Sequence, residues 1–198
     1  RFPVVGFDNA FYQPGNDLLL FGAGGSMGEG FGDALSSAFY ARTHGAVGSH
    51  CVADWDGSAI QVDGIEPCLR PNDDDSRKYP GGLQSQVHAD GEMWSAFLTR
   101  LRPRLLPGAE FDMISRADAL AAMTDEQHTE ASDRMRYLLL SSDELLSPTA
   151  EFQDAIDALL QAAVLTIDGE AELSRALDTI KATAAETTMP YSGAPYGG

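Results

Sequence analysis

Two short stretches of the chain carry carboxylates and an imidazole at spacings that chemistry can use. In Gly28-Glu29-Gly30-Phe31-Gly32-Asp33 the carboxylates stand four residues apart, so on a helix they share one face. Like charges so placed repel by a few tenths of a kcal/mol, and a cation or a histidine partner would reverse that. Three glycines each weaken the helix by roughly 1 kcal/mol relative to alanine, a cost tolerated where backbone or metal must approach closely. An exposed acidic first turn, favoured by the helix dipole, is the plainer reading of the same residues. The second stretch is Val87-His88-Ala89-Asp90-Gly91-Glu92-Met93-Trp94. His88 opens a helix, and Glu92, one turn on, is placed to orient it or pair with it. A capping or surface histidine is the plainer reading. A third group is Asp54, Asp56, Asp73, Asp74 and Asp75, whose oxygens suit Ca²⁺. Their spacing is not that of an EF-hand, and a solvated acidic loop is the plainer reading.

These residues need elements to hold them. Asn9–Tyr12 and Asp17–Phe21 flank Gln13-Pro14-Gly15-Asn16, a β-hairpin signal. Gly22-Ala23-Gly24-Gly25-Ser26 reads as a flexible connector. From about Met27 to Thr43 the period turns helical, with Phe31, Leu35, Ala38 and Phe39 as the apolar face. Residues 45–83 show no helical period. A helix resumes from Gln84 to about Leu101 on Val87, Trp94, Phe97, Leu98 and Leu101, and Pro103 should stop it. Ser132 to about Leu140 is another helix. Ser147-Pro148 reads as an N-cap followed by proline at the first helical position. Phe152, Ile156, Leu159, Leu160 and Ala163 mark the helix that follows, and Gly169 should break it. Leu173, Ala176, Leu177 and Ile180 mark the last helix. The expectation is a mainly α (α+β) lobe over 1–190, with hairpin and connector in 1–25 and a flexible tail in 191–198.

The 198 residues are enough for a substantial core. With 13 Lys and Arg against 30 Asp and Glu, the net charge is −17. Such a charge repels phosphates, so no nucleic-acid partner and no anionic membrane surface is expected. No apolar run approaches the ~20 residues of a membrane span. No signal peptide is read, and Arg1 at the start suggests a processed or trimmed product. Cys51 and Cys68 are either two free thiols or one disulfide, which would contribute roughly 3 kcal/mol by restricting the unfolded chain. Low lysine content, acidity and Gly-rich loops lean towards a secreted or extracellular protein, where that bond would persist.

Five segments in sequential order carry a family resemblance: Asn9-Ala10-Phe11-Tyr12, Met27–Asp33, Ala53-Asp54-Trp55-Asp56, Lys78-Tyr79-Pro80 and Val87–Ser95. The series resembles the C-terminal half of fungalysin-type, thermolysin-like zinc metallopeptidases, over roughly residues 5–165. The resemblance implies the helical lobe of that fold, zinc as cofactor and a peptide or protein substrate. It makes Glu29 the glutamate ligand of a His₂Glu zinc site. Asp33 becomes the carboxylate that orients a zinc-bound histidine. His88 becomes the catalytic histidine that hydrogen-bonds the developing oxyanion.

The departure from the family is large. Its two histidine ligands and its general base lie in a His-Glu-x-x-His helix. Here the four histidines are His44, His50, His88 and His128, and none has a histidine four residues away. Only Gly22 to Met27 separate the hairpin from Gly28, too few residues for that helix. His44 follows Glu29 by fifteen positions, roughly 22 Å along a helix, and cannot share its metal. The sequence therefore reads either as a metallopeptidase-like domain with an incomplete site or as an inactive peptide-binding or scaffolding module. A purely structural helical domain with an acidic calcium loop is a third reading.

Overall fold

Among the described residues five helices carry the interior, and small residues decide how closely the first two of them approach. The computed structural model describes residues 23–44, 51–52, 70–71, 76–108, 122–147 and 149–193. The helices are α1 (Ala23–His44), α2 (Val87–Arg104), α3 (Asp125–Asp143), α4 (Phe152–Thr166) and α5 (Glu170–Thr187). Cys51–Val52 (β1) and Arg70–Pro71 (β2) form a two-residue antiparallel ladder with Cys51 opposite Pro71. The architecture of the described residues is thus mainly α. Among them, no helix is long and apolar enough to cross a membrane.

The connector expected over 22–26 is instead helical from Ala23 onward. Gly24 and Gly25 are poor helix formers, but Ser26 and Met27 beside them are each only 1% exposed. Tertiary burial outweighs intrinsic propensity here. The hairpin expected over 9–21 lies outside the described residues. So do Asp54, Asp56, Asp73, Asp74, Asp75, His50, Cys68 and the end of the tail from 194.

Helix α2 is the axis of the core. Its start is fixed by Gln86, whose side-chain oxygen accepts from the Ala89 amide at 2.6 Å. The buried Asp90 carboxylate accepts from the amides of Gln84 at 2.7 Å and Gln86 at 3.3 Å. Pro103 does not stop the helix; it sits inside the last turn. That end is held from outside. Arg175 of α5 donates through Nη1 to the carbonyls of Arg104 at 3.3 Å and Leu106 at 3.1 Å, and through Nη2 to Leu105 at 3.1 Å. Carbonyls that a helix end leaves unpaired are thereby satisfied. Glu186 of α5 adds contacts at 2.6 Å to both Arg100 and Arg104.

Phe97, Leu98 and Leu101 of α2 are fully buried, with Ile156, Leu159 and Leu160 of α4 and Ile180 of α5. Trp94 stacks on Phe97 at 5.2 Å between ring centroids. Helix α3 starts at a capping box: Gln127 N donates to Thr124 Oγ1 and Thr124 N to Gln127 Oε1. It runs beyond both ends of the expected 132–140 segment because that cap lies outside the apolar period. Ser147 does not cap α4. It accepts a turn bond from Ala150 N at 3.0 Å, and the helix begins at Phe152 after Glu151. Gly169, at φ +94°, separates α4 from α5 as expected. In the tail, Ser192 N donates to the Asp157 carboxylate at 3.0 Å.

Candidate functional site

Glycines at the crossing of α1 and α2 create the site. A Cβ placed on Gly30 would stand 2.3 Å from the Gly91 carbonyl oxygen and 3.0 Å from Ser95 N. One placed on Gly91 would stand 2.7 Å from the Ser26 carbonyl oxygen. The two backbones therefore touch with no side chain between them. Gly32, one position beyond Phe31, faces open space. Of these two glycines of the first motif, Gly30 is required by contact and Gly32 is not.

The crossing brings the side chains beside it together. His88 Nδ1 lies 2.8 Å from Glu29 Oε2, across 59 positions of sequence. The imidazole side chain is 50% exposed and the carboxylate 27% exposed, so the pair sits at the surface end of the crossing. An ionised carboxylate only accepts, so Nδ1 donates and Nε2 faces away from Glu29. Asp33, one turn along α1, is 4% exposed. Glu92 does not orient His88. It pairs with Arg77 at 3.1 Å, and Arg77 Nη1 also lies 3.0 Å from the Ala89 carbonyl oxygen, so this arginine pins the first turns of α2.

The expected apolar backing is present in part. Trp94, Phe97 and Leu98 are buried behind the pair, and Phe31 and Leu35 pack partly against them. Phe39 does not join them and is 64% exposed. Sequence reasoning assigned no role to Arg77 or Gly91. A glycine in mid-helix was the available signal for the second, since it costs helix stability unless another backbone comes close.

Comparison with known protein families, curated proteins and solved structures returns no match.

A catalytic zinc takes three protein ligands and leaves one position open. Among the described residues, no three His, Cys, Asp or Glu side chains are grouped to hold a metal ion. Glu29 Oε2 is engaged by the imidazole of His88, and His128 is buried on α3 at 1% exposure. These described residues do not fit a catalytic zinc.

Proposed function

We propose that this chain is a metallopeptidase-like module of an exported protein that holds a peptide segment without hydrolysing it. The reading joins the family resemblance of the five segments to the incomplete ligand set. One observation carries it: the 2.8 Å contact of Glu29 with His88, set on a glycine-lined helix crossing. Spatial convergence of residues 59 positions apart supports a shared role better than two unrelated surface groups would. His88 keeps Nε2 available to a peptide group. As a neutral ring donating from Nδ1, it accepts an amide N–H at Nε2; as an imidazolium it donates to a carbonyl. The carboxylate fixes the ring's orientation in both cases. Three carboxylates, Glu29, Asp33 and Glu92, gather around this crossing, with His88 beside Glu29 and Arg77 beside Glu92, and the chain's charge of −17 favours a basic peptide.

The test uses the purified chain, a pool of unstructured basic peptides and equimolar zinc. The expected result is peptide binding by calorimetry that weakens in His88→Ala, with no zinc-dependent cleavage and no zinc retained after dialysis. About one zinc per chain with chelator-sensitive cleavage would overturn the incomplete-site reading. No measurable binding of any peptide would overturn the peptide-holding reading.

A further inference from the structure

The C-terminal part of α2 contains buried hydrogen-bond donors that have no partner among the described residues. Arg102 is 2% exposed. Its Nη1 donates to Ser132 Oγ of α3 at 3.3 Å, a long contact. Its Nε and Nη2 have no hydrogen-bond partner among the described residues. Thr99, three residues earlier and so on the same helical face, is also 2% exposed, and its hydroxyl has no partner among the described residues. Ser132 gives its own proton to the His128 carbonyl at 2.7 Å, so it is an acceptor for Arg102 and offers no charge.

A buried guanidinium without a counter-charge is among the costliest arrangements a fold can hold. Burial pushes Arg102 down to about 10, which still leaves it protonated at neutral pH. The neighbouring arginines show the ordinary solution: Arg100 and Arg104 share the Glu186 carboxylate at 2.6 Å. Arg102 lies on the other side of the helix, where among the described residues its contact is the Ser132 hydroxyl and no carboxylate forms an ion pair with it. Ser132 also lines a cavity of about 230 Å³ between α1 and α3, whose wall includes Leu35, Ala38, Phe39, Asp133 and Arg136. Phe39 at its rim is 64% exposed, so the cavity reaches solvent.

We propose that Arg102 and Thr99 form a binding site for a small monovalent anion, a halide or a compact carboxylate, entered from the cavity beside Ser132. The unpartnered Nε and Nη2 of Arg102 and the hydroxyl of Thr99 are buried within one turn of the same helical face, a donor set that such an anion takes, and the Arg102 contact with Ser132 links them to the cavity wall. The site is independent of the Glu29–His88 pair and of the peptide-holding reading. Bound anion stabilises the folded state by mass action, so the folded-to-unfolded ratio rises about a hundredfold at a hundred times the dissociation constant.

The experiment is thermal melting of the full chain in sodium chloride and in sodium acetate. Each is titrated at constant ionic strength against the bulky anion 2-(N-morpholino)ethanesulfonate. The expected result is a saturable rise in Tm with either small anion, absent in Arg102→Met, together with chloride-35 NMR line broadening by the wild type that acetate reverses. Arg102→Met keeps the shape of the side chain and removes the charge. Should it fail to fold, Thr99→Val serves instead and raises the apparent dissociation constant several-fold. A Tm indifferent to chloride and acetate, or a saturable response that survives in Arg102→Met or is unchanged in Thr99→Val, overturns the proposal.

Discussion

Substituting Gly30 by alanine tests whether backbone contact between α1 and α2 builds the site. In an exposed helix this change is favourable by up to ~1 kcal/mol, because alanine restricts the unfolded chain and propagates the helix better. Here the new methyl would stand 2.3 Å from the Gly91 oxygen, which belongs to the backbone of α2 and cannot rotate away. A carbon and a carbonyl oxygen settle at about 3.3 Å. The helices must therefore part by roughly 1 Å at the crossing, and overpacking of this kind costs about 1–3 kcal/mol. That exceeds the propensity gain, so the net change is a loss of up to ~2 kcal/mol. The same displacement lengthens the Glu29–His88 contact from 2.8 Å to a separation that no longer makes a hydrogen bond. Gly32→Ala is the internal control, because a Cβ there meets nothing within 4 Å. Urea denaturation should show Gly30→Ala less stable than the wild type and Gly32→Ala equal or more stable. Nitrogen-15 shifts of His88 should report loss of the Nδ1 hydrogen bond in Gly30→Ala alone. Equal stabilisation by the two substitutions would refute the crossing as the element that sets the site.

Further outcomes follow from individual contacts. Thr124→Ala removes one half of the capping box and should cost about 1 kcal/mol, read as a lower urea midpoint without change in slope. Glu186→Gln leaves Arg100 and Arg104 without their shared carboxylate, and should lower stability by no more than about 1 kcal/mol, an effect that shrinks in high salt. The Arg134 guanidinium holds the Glu172 carboxyl below the usual carboxylate range. A depressed carboxylate adds stability above its unfolded pKa and loses it as pH falls through the folded value. Glu172→Gln should therefore be slightly less stable than the wild type at pH 7 and indistinguishable from it near pH 2, with a small amplitude because the pair is exposed to solvent. Phe97→Ala, at a fully buried position, should cost about 3–5 kcal/mol by thermal melting and abolish cooperative unfolding if it exceeds the total.

The sequence made the helices legible where an apolar period ran through them. Phe152, Ile156, Leu159 and Leu160 announce α4, and Leu173, Ala176 and Ile180 announce α5, because burial of one stripe decides both. Ends were less legible. The start of α3 depends on a polar box at Thr124 and Gln127, which adds nothing to the hydrophobic period. Pro103 signals a stop by local rules, but three carbonyl contacts from Arg175, about seventy residues away in sequence, hold that turn. Phe39 fits the helical period of α1 yet remains outside the core, since periodicity gives a direction without saying what lies there. In the site, the motifs around Glu29 and His88 were visible as carboxylate and imidazole spacings. That they meet was implied by the family resemblance alone, which sets both around one cleft; the residues' own spacing hid it, because spacing along one helix carries no information about a second. The choice of Glu29 over Glu92 as partner of His88 was equally hidden. It depends on Arg77, which draws Glu92 away from the ring.

The clamp at the end of α2 has a consequence for the order of events during synthesis. The helix that carries His88 ends in carbonyls held by Arg175 and in arginines held by Glu186. Neither partner exists until the ribosome has moved some seventy to eighty residues past that turn. At about 5–20 residues per second, α2 waits several seconds with Phe97, Leu98 and Leu101 uncovered on at least one side. Contacts so distant in sequence close a large loop, which slows folding more than it weakens the product. A nascent chain stalled before residue 170 would hold the Glu29 and His88 motifs complete in sequence and still present an apolar surface to chaperones.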